Sequence, residues 1–351
     1  MPPLVTTDRP LKHARVVALL DEYEVDAIQL TRPETLSWYF DGPRTSVPFG
    51  GQPVFSAVVR REGRATVTAL ENEIDRLADE EIGGAEFRSI PWFQDPTESG
   101  EPNLLRDIDV AEELRRIRGS LLPAERGRYR ALGSDIASAL TRVLLSAQPT
   151  MAEHRLASDL IAAVAATGAT PSVILVAGES RGGVQHPLPT DAVLGDRAMA
   201  VVTAVRFGLH VSITRWVRFR GEEPSAESTL RQVEADIFAA TIPGRPMREV
   251  LTDIATAYEA HGFGTADRPA WRAHHQGGPT GYLGRDPKAM PHDETLVAHG
   301  GAFAWNPWVP HAKIEDTIVV DDTGIEVLTV DPSWPTTPVR GLARPLTLDL
   351  S

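Results

Sequence analysis

An α+β fold of two domains is predicted by three observations. Long helical segments come in pairs and alternate with β-rich runs through the last two thirds of the chain, a pattern of helices laid on antiparallel sheet. A smaller α/β pattern precedes them, and Leu121-Leu122-Pro123 separates the two, because Pro ends one helix and can begin the next. We therefore place a smaller N-terminal α/β domain over residues 1–120 and a larger domain over 121–351. With 351 residues, 42% of them hydrophobic, the chain is long enough to give each a core.

The elements follow in order. Residues 11–25 carry apolar side chains at helical spacing (Val16, Leu19, Leu20) and lead into the short strand 27–30. Residues 54–60 and 65–70 are β-rich and flank the polar turn Arg61-Glu62-Gly63-Arg64, the pattern of a hairpin. Residues 71–82 and 103–120 are charged and predict helices. A long helix over 124–147 comes next. Thr150 and Glu153 have capping-box spacing for a further helix that runs to about residue 168. A buried strand is expected over 172–177, bounded by Gly178, and a long hairpin over 197–219, broken at Gly208. Helices at 225–240 and 247–261 and strands near 302–305, 312–320 and 326–329 complete the pattern, and the Pro-rich stretch 332–345 suggests an extended surface strap.

Composition excludes several functions. No cysteine is present, so disulfides, zinc-thiolate sites and a cysteine nucleophile are ruled out. A net charge of −13 argues against a nucleic-acid partner, which needs clustered Arg and Lys. No apolar run approaches the roughly 20 residues that cross a bilayer, and Met1-Pro2-Pro3 opens no signal peptide, so no membrane association and a cytoplasmic location are the expectation. Lysine is confined to Lys12, Lys288 and Lys313, of which only Lys313 falls inside a motif discussed below.

Four segments carry a resemblance: Gln185-His186-Pro187-Leu188-Pro189-Thr190-Asp191, Ser212-Ile213-Thr214-Arg215, His274-His275-Gln276-Gly277-Gly278-Pro279-Thr280-Gly281-Tyr282, and Ile314-Glu315-Asp316-Thr317. In that order the chain resembles the pita-bread family of aminopeptidase P, prolidase, methionine aminopeptidase and creatinase, over essentially all of 121–329. The resemblance implies a pita-bread C-terminal domain and a homodimer. In the metallopeptidase members two metal ions are held by Asp, Asp, His, Glu and Glu. The matching positions here are Val201, Ser212, His275, Asn306 and Glu315. Val has no lone pair, Ser and Asn carry no charge, and a dinuclear site would lose its anionic bridge. No metal and no other cofactor is expected.

Catalysis is then assigned to His186, His275 and Glu315. In creatinase, which works without metal, the His matching His186 is the general acid/base, a role suited to an unperturbed pKa of about 6.5. His275 and Glu315 would orient water or polarise the scissile group. Substrate contacts are expected from His274, Tyr282, Arg285, Asn306 and, in the N-terminal domain, Trp38, Phe40 and Arg44. Arg285 in Gly284-Arg285-Asp286 resembles the Gly-Arg-Glu of creatinase and could grip a carboxylate, or simply form a surface salt bridge. Tyr282 lies where metallopeptidases place a second substrate-contacting His. Trp38, Phe40 and Arg44 resemble a segment that creatinase-like dimers insert into the partner's site, whereas Tyr39 reads as core. His186 as a plain loop residue and His274 with His275 as a buried non-catalytic pair are the bland alternatives. His210, on the Ser212 side of its strand, and His311, close before Glu315, are further options for the same pocket.

The expected function is a metal-independent, creatinase-like hydrolase or lyase that cleaves a C–N bond of a small polar or carboxylate-bearing substrate. Two alternatives stand beside it: an Xaa-Pro aminopeptidase or dipeptidase with a weak or atypical metal site, and a non-catalytic peptide-binding relative of the peptidases.

Overall fold

A computed structural model describes residues 7–99 and 101–351, so Met1-Pro2-Pro3 lie outside the described residues. The chain forms two compact units, Met1–Arg128 with Phe207–Leu209, and Tyr129–Arg206 with His210–Ser351; the division falls within the helix Pro123–Leu144.

The first unit is a five-stranded sheet in the spatial order Glu86–Ile90, Ala65–Leu70, Phe55–Arg60, Ala27–Leu30, Leu105–Arg106. The expected hairpin is present, with Val59 opposite Ala65 in antiparallel register. The helix Arg9–Glu22 buries Val16, Leu19 and Leu20, the residues whose spacing predicts it. It also buries Lys12, whose ammonium meets Asp41 at 2.6 Å, Glu125 at 3.0 Å and the Trp38 carbonyl at 2.6 Å. Two expectations need correction here. Only Ala111–Arg118 of the segment 103–120 is helical, because Leu105–Arg106 joins the sheet. The Asp107 carboxylate then accepts the Thr31 and Arg32 amides at 2.7 and 2.9 Å, which ties the segment down in extended form. An unanticipated helix, Pro33–Tyr39, starts with Pro in its first turn and Glu34 beside it, both favourable at an N-terminus.

The second unit holds two four-stranded sheets. One runs Leu348–Asp349, Leu209–Arg218, Arg197–Arg206, Thr170–Gly178, and the other Gly277–Thr280, Gly301–Trp305, Asp316–Asp321, Gly324–Val327. They are stitched where Thr214 and Glu315 pair, with the Thr214 amide donating to the Glu315 carbonyl at 3.0 Å. Beside it the Thr317 hydroxyl accepts the Ser212 amide at 2.8 Å and donates to the Ser212 carbonyl at 3.0 Å. Helices Ser225–Ala240 and Met247–Ala260 cover the second sheet, packing Ile237, Phe238, Val250 and Ile254 on Phe303, Trp305, Ile318 and Val320.

Two readings change in this unit. Thr150 and Glu153 make no capping box: the helix Glu153–Ala166 starts at Glu153, and no side chain caps it. Burial explains the change, since the Glu153 carboxylate is fully enclosed and accepts the Gly178 and Thr190 amides at 2.8 and 3.0 Å and the Thr190 hydroxyl at 2.8 Å. The Pro-rich stretch is more than a strap. Thr336–Val339 and Leu342–Pro345 form a hairpin, and Arg344 is inserted between Glu234 and Asp316, with contacts of 2.7 and 2.6 Å. Arg215 meets the other oxygen of Asp316 at 2.8 Å, so this buried network ties both sheets to the tail. No helix among the described residues is long and apolar enough to cross a membrane.

Arg344→Met leaves Glu234 buried without its counter-charge, and loss of one partner of a buried pair costs about 3–5 kcal/mol. Urea denaturation should show a fall of that size; a change within about 0.5 kcal/mol, the range of ordinary surface substitutions, contradicts the network's role.

Candidate active site

The hairpin built from Arg197–Arg206 and Leu209–Arg218 presents one face on which the carboxylates of a dinuclear centre would stand. That face is made of other groups here. Val201 packs with Leu175, Ala177, Met199 and Trp216. The Ser212 hydroxyl is buried and 3.0 Å from the Thr203 hydroxyl, and the Thr214 hydroxyl donates to Glu315 Oε2 at 3.3 Å. Asn306 is buried, with its Oδ1 unpartnered. A dinuclear metal centre therefore does not fit this residue set, because one position is apolar, two are neutral, and the remaining carboxylate is already occupied.

Its occupant is a pair of cations. Glu315 Oε1 accepts Arg285 Nη2 at 2.6 Å, and Lys313 Nζ lies 3.5 Å from Oε2. Burial alone would raise the Glu315 pKa, but Lys313 and Arg285 overcome it and hold the carboxyl down to about 2. Burial lowers the Lys313 ammonium against the pull of Glu315. Two basic side chains thus flank a single carboxylate.

Three imidazoles gather beside them. His186, His274 and His275 each offer a nitrogen within 4.8 Å of the others. His274 Nδ1 lies 2.6 Å from the His275 carbonyl, which can only accept, so Nδ1 carries the proton and Nε2 holds a lone pair. His274 Nε2 is 3.1 Å from His186 Nε2. Burial, followed by Lys313, drives the His274 pKa to about 3, so His274 is neutral and accepts. The donor must then be His186 Nε2–H, which leaves His186 Nδ1 as an unprotonated base on an exposed ring. Burial is also the main cause lowering His186, with Lys313 and Lys288 adding to it. His275 falls to about 4 through burial and Arg285, and its Nδ1 has no partner.

The surrounding structure fixes these rings. Gln276 donates to the His274 and Trp271 carbonyls at 2.8 and 2.7 Å and accepts the Tyr258 hydroxyl at 2.9 Å. Gly277 has φ +102°, and a Cβ there would stand 2.0 Å from the Ala304 carbonyl oxygen, so only glycine lets the chain leave His275 along this path. Trp308 stacks on His274 with ring centroids 6.3 Å apart. The His186 loop is anchored through Thr190 to Glu153 and through Arg181 to the Leu188 carbonyl at 3.0 Å.

Of the residues expected at the site, the structure gathers His186, His274, His275, Arg285 and Glu315, and buries Tyr282 and Asn306. Trp38 and Phe40 are buried in the core of the N-terminal unit, and Arg44 is bonded to Glu81 and Glu80 within that unit. His210 bonds through Nδ1 to the Gly281 carbonyl at 3.2 Å. His311 lines a groove of about 330 Å³ with Glu179, Asp196, Arg197 and Trp216, a set that includes none of the three clustered histidines. Lys313 and Glu153 are the site residues that sequence reasoning left out. Lys313 stood out as a rare lysine within a motif, and Glu153 was hidden by its capping-box spacing.

Glu315→Gln leaves Lys313 and Arg285 buried without counter-charge and should cost about 3–5 kcal/mol near neutral pH. The Glu315 folded pKa of about 2 lies below the unfolded value, so its contribution is complete above that value and is lost as pH falls through the folded pKa. The stability difference between wild type and variant should therefore hold above about pH 5 and shrink below about 4.3. A difference that stays constant through that acid range contradicts the ion-pair assignment.

No family profile matches the sequence, and no curated protein matches it. Solved structures do. An Xaa-Pro dipeptidase from Bacillus anthracis superposes with TM-score 0.72 at 16% identity over 98% of this chain and 100% of that one. Dipeptidase PepE from Mycobacterium ulcerans gives 0.71 at 19% identity over 92% and 96%. The N-terminal domain of the FACT complex subunit SPT16 from Cicer arietinum gives 0.64 at 12% identity over 93% and 97%. At these identities the likeness is one of fold, and the chain has the pita-bread fold shared by prolidases and Xaa-Pro dipeptidases.

Proposed function

We propose that this protein hydrolyses the C–N bond of a small amide that carries a carboxylate, and that it does so without a dinuclear metal centre. The observation that carries this reading is the cluster in which exposed His186, its Nε2 proton held by His274, stands beside Lys313, Arg285 and Glu315. The dipeptidases among the structural neighbours favour dipeptides, Xaa-Pro above all, over a creatinase-like substrate.

Each side chain then has a role. His186 Nδ1 takes a proton from water as its oxygen attacks the amide carbon, and returns that proton to the leaving nitrogen as the C–N bond breaks. His274 is a positioning residue, since it selects the His186 tautomer. The Arg285 guanidinium, with Lys313 beside it, stabilises the negative charge that develops on the carbonyl oxygen, the part a metal plays elsewhere in this fold. The Arg285 guanidinium, part-buried beside Glu315, is the group that meets the substrate carboxylate.

A second reading is peptide binding without turnover, favoured by the net charge of −13, which would attract basic partners. A panel of Xaa-Pro and other dipeptides assayed with wild type and His186→Ala separates the two. Hydrolysis that falls by roughly two to four orders of magnitude in the variant supports catalysis. Affinity for peptides with no turnover, unchanged in His186→Ala, supports binding. Because the His186 pKa is lowered, its base form should persist to acid, and the acid limb of kcat/KM should lie below about pH 6.5; a limb above that value contradicts the role.

A further inference from the structure

We infer that His186, His274 and His275 form a binding site for one transition-metal dication of the zinc class, and that its occupancy silences the base. The silencing rests on the function proposed above; the site itself rests on geometry.

Three neutral imidazoles are what a borderline-soft ion such as Zn²⁺, Co²⁺ or Ni²⁺ selects. Four-coordinate zinc with Zn–N near 2.0–2.1 Å places its ligand nitrogens about 3.3 Å apart. The His186 and His274 Nε2 atoms are already 3.1 Å apart, and the three ligand atoms span no more than 4.8 Å. His186 sits on a loop and is exposed, so it can make the remaining adjustment. His274 has the outer contact usual for a metal-bound imidazole, with Nδ1–H on the His275 carbonyl at 2.6 Å and the Nε2 lone pair turned toward the cluster. The buried His275 Nδ1 lacks any hydrogen-bond partner, and so leaves a lone pair or proton that the protein does not use. This nitrogen-only set differs from the carboxylate-rich dinuclear arrangement, which the chain has lost at Val201, Ser212 and Asn306.

Charge shapes which ions enter. Lys313, Arg285 and Lys288 all act on these histidines, and their field opposes a dication. Oxygen-preferring ions such as Mg²⁺ and Mn²⁺ gain too little from imidazole to overcome it, whereas zinc-class ions gain more. Silencing follows from the tautomer: an ion bound between the two Nε2 atoms displaces the proton of His186 Nε2 to Nδ1, which removes the lone pair that the base uses.

Full-length protein stripped with a chelator and desalted can be titrated with Co²⁺ in the spectrophotometer and with Zn²⁺ in the calorimeter. The expected result is one ion per chain with the visible absorption of low-coordinate Co²⁺, and no comparable uptake of Mg²⁺. His186→Ala, at an exposed position, and His274→Ala should each weaken binding at least about tenfold, the loss that even an outer contact produces. His311→Ala should bind as wild type. Absence of stoichiometric binding, or binding that survives both substitutions, overturns the site. Inhibition of dipeptide hydrolysis by the same ion supports silencing. Stimulation by it overturns silencing and, with it, the metal-free mechanism, while the calorimetric result still decides the site.

Discussion

One carboxylate held by two cations governs this site. Glu315, enclosed between Lys313 and Arg285, would have to share its oxygens with these partners to ligate a metal, and its removal would leave both basic groups buried without a counter-charge. The rest of the enclosure is consistent with that arrangement. Hydroxyls and an apolar side chain stand on the hairpin face where acids would be needed to neutralise two dications, and two basic side chains flank the one carboxylate. Lys313 and Arg285 therefore hold the Glu315 carboxylate at positions set by the chain.

Burial, with the same basic side chains added to it, sets the chemistry of the imidazoles. Buried beside fixed cations, His274 and His275 remain neutral, and a neutral His274 can only accept from His186. The direction of one backbone hydrogen bond thus selects the tautomer of a side chain 88 residues earlier in the sequence. Gln276, Tyr258 and Trp308 hold that geometry from behind, and Glu153 holds the His186 loop from the other side. Fold and proton handling are connected through these few contacts.

Much of this was legible in the sequence, for identifiable reasons. Strands such as Ala27–Leu30 and Ala65–Leu70 and the helix Ser225–Ala240 are strongly periodic or bounded by turn residues, and they appear where periodicity places them. The grouping of His186, His275, Glu315 and Arg285 was legible only through several motifs in register. What escaped depends on tertiary context. Glu153 has the spacing of a cap but is buried as a loop anchor, and Arg344 sits in a Pro-rich stretch that composition alone reads as solvent-exposed. Lys313 could be noticed as rare, but its burial against Glu315 follows from how the two sheets meet at Thr214 and Glu315. Trp38 lies on a helix that the aromatic motif did not suggest, and Phe40 caps its C-terminal end.

Counting ions tests the central claim most directly. After equilibration with excess Mn²⁺, which favours oxygen ligands, and removal of free metal, elemental analysis should find well under one manganese per chain, because Glu315 is committed to Lys313 and Arg285. Two retained manganese ions per chain would show a dinuclear centre in working order, and the replacement of metal by buried cations would have to be abandoned.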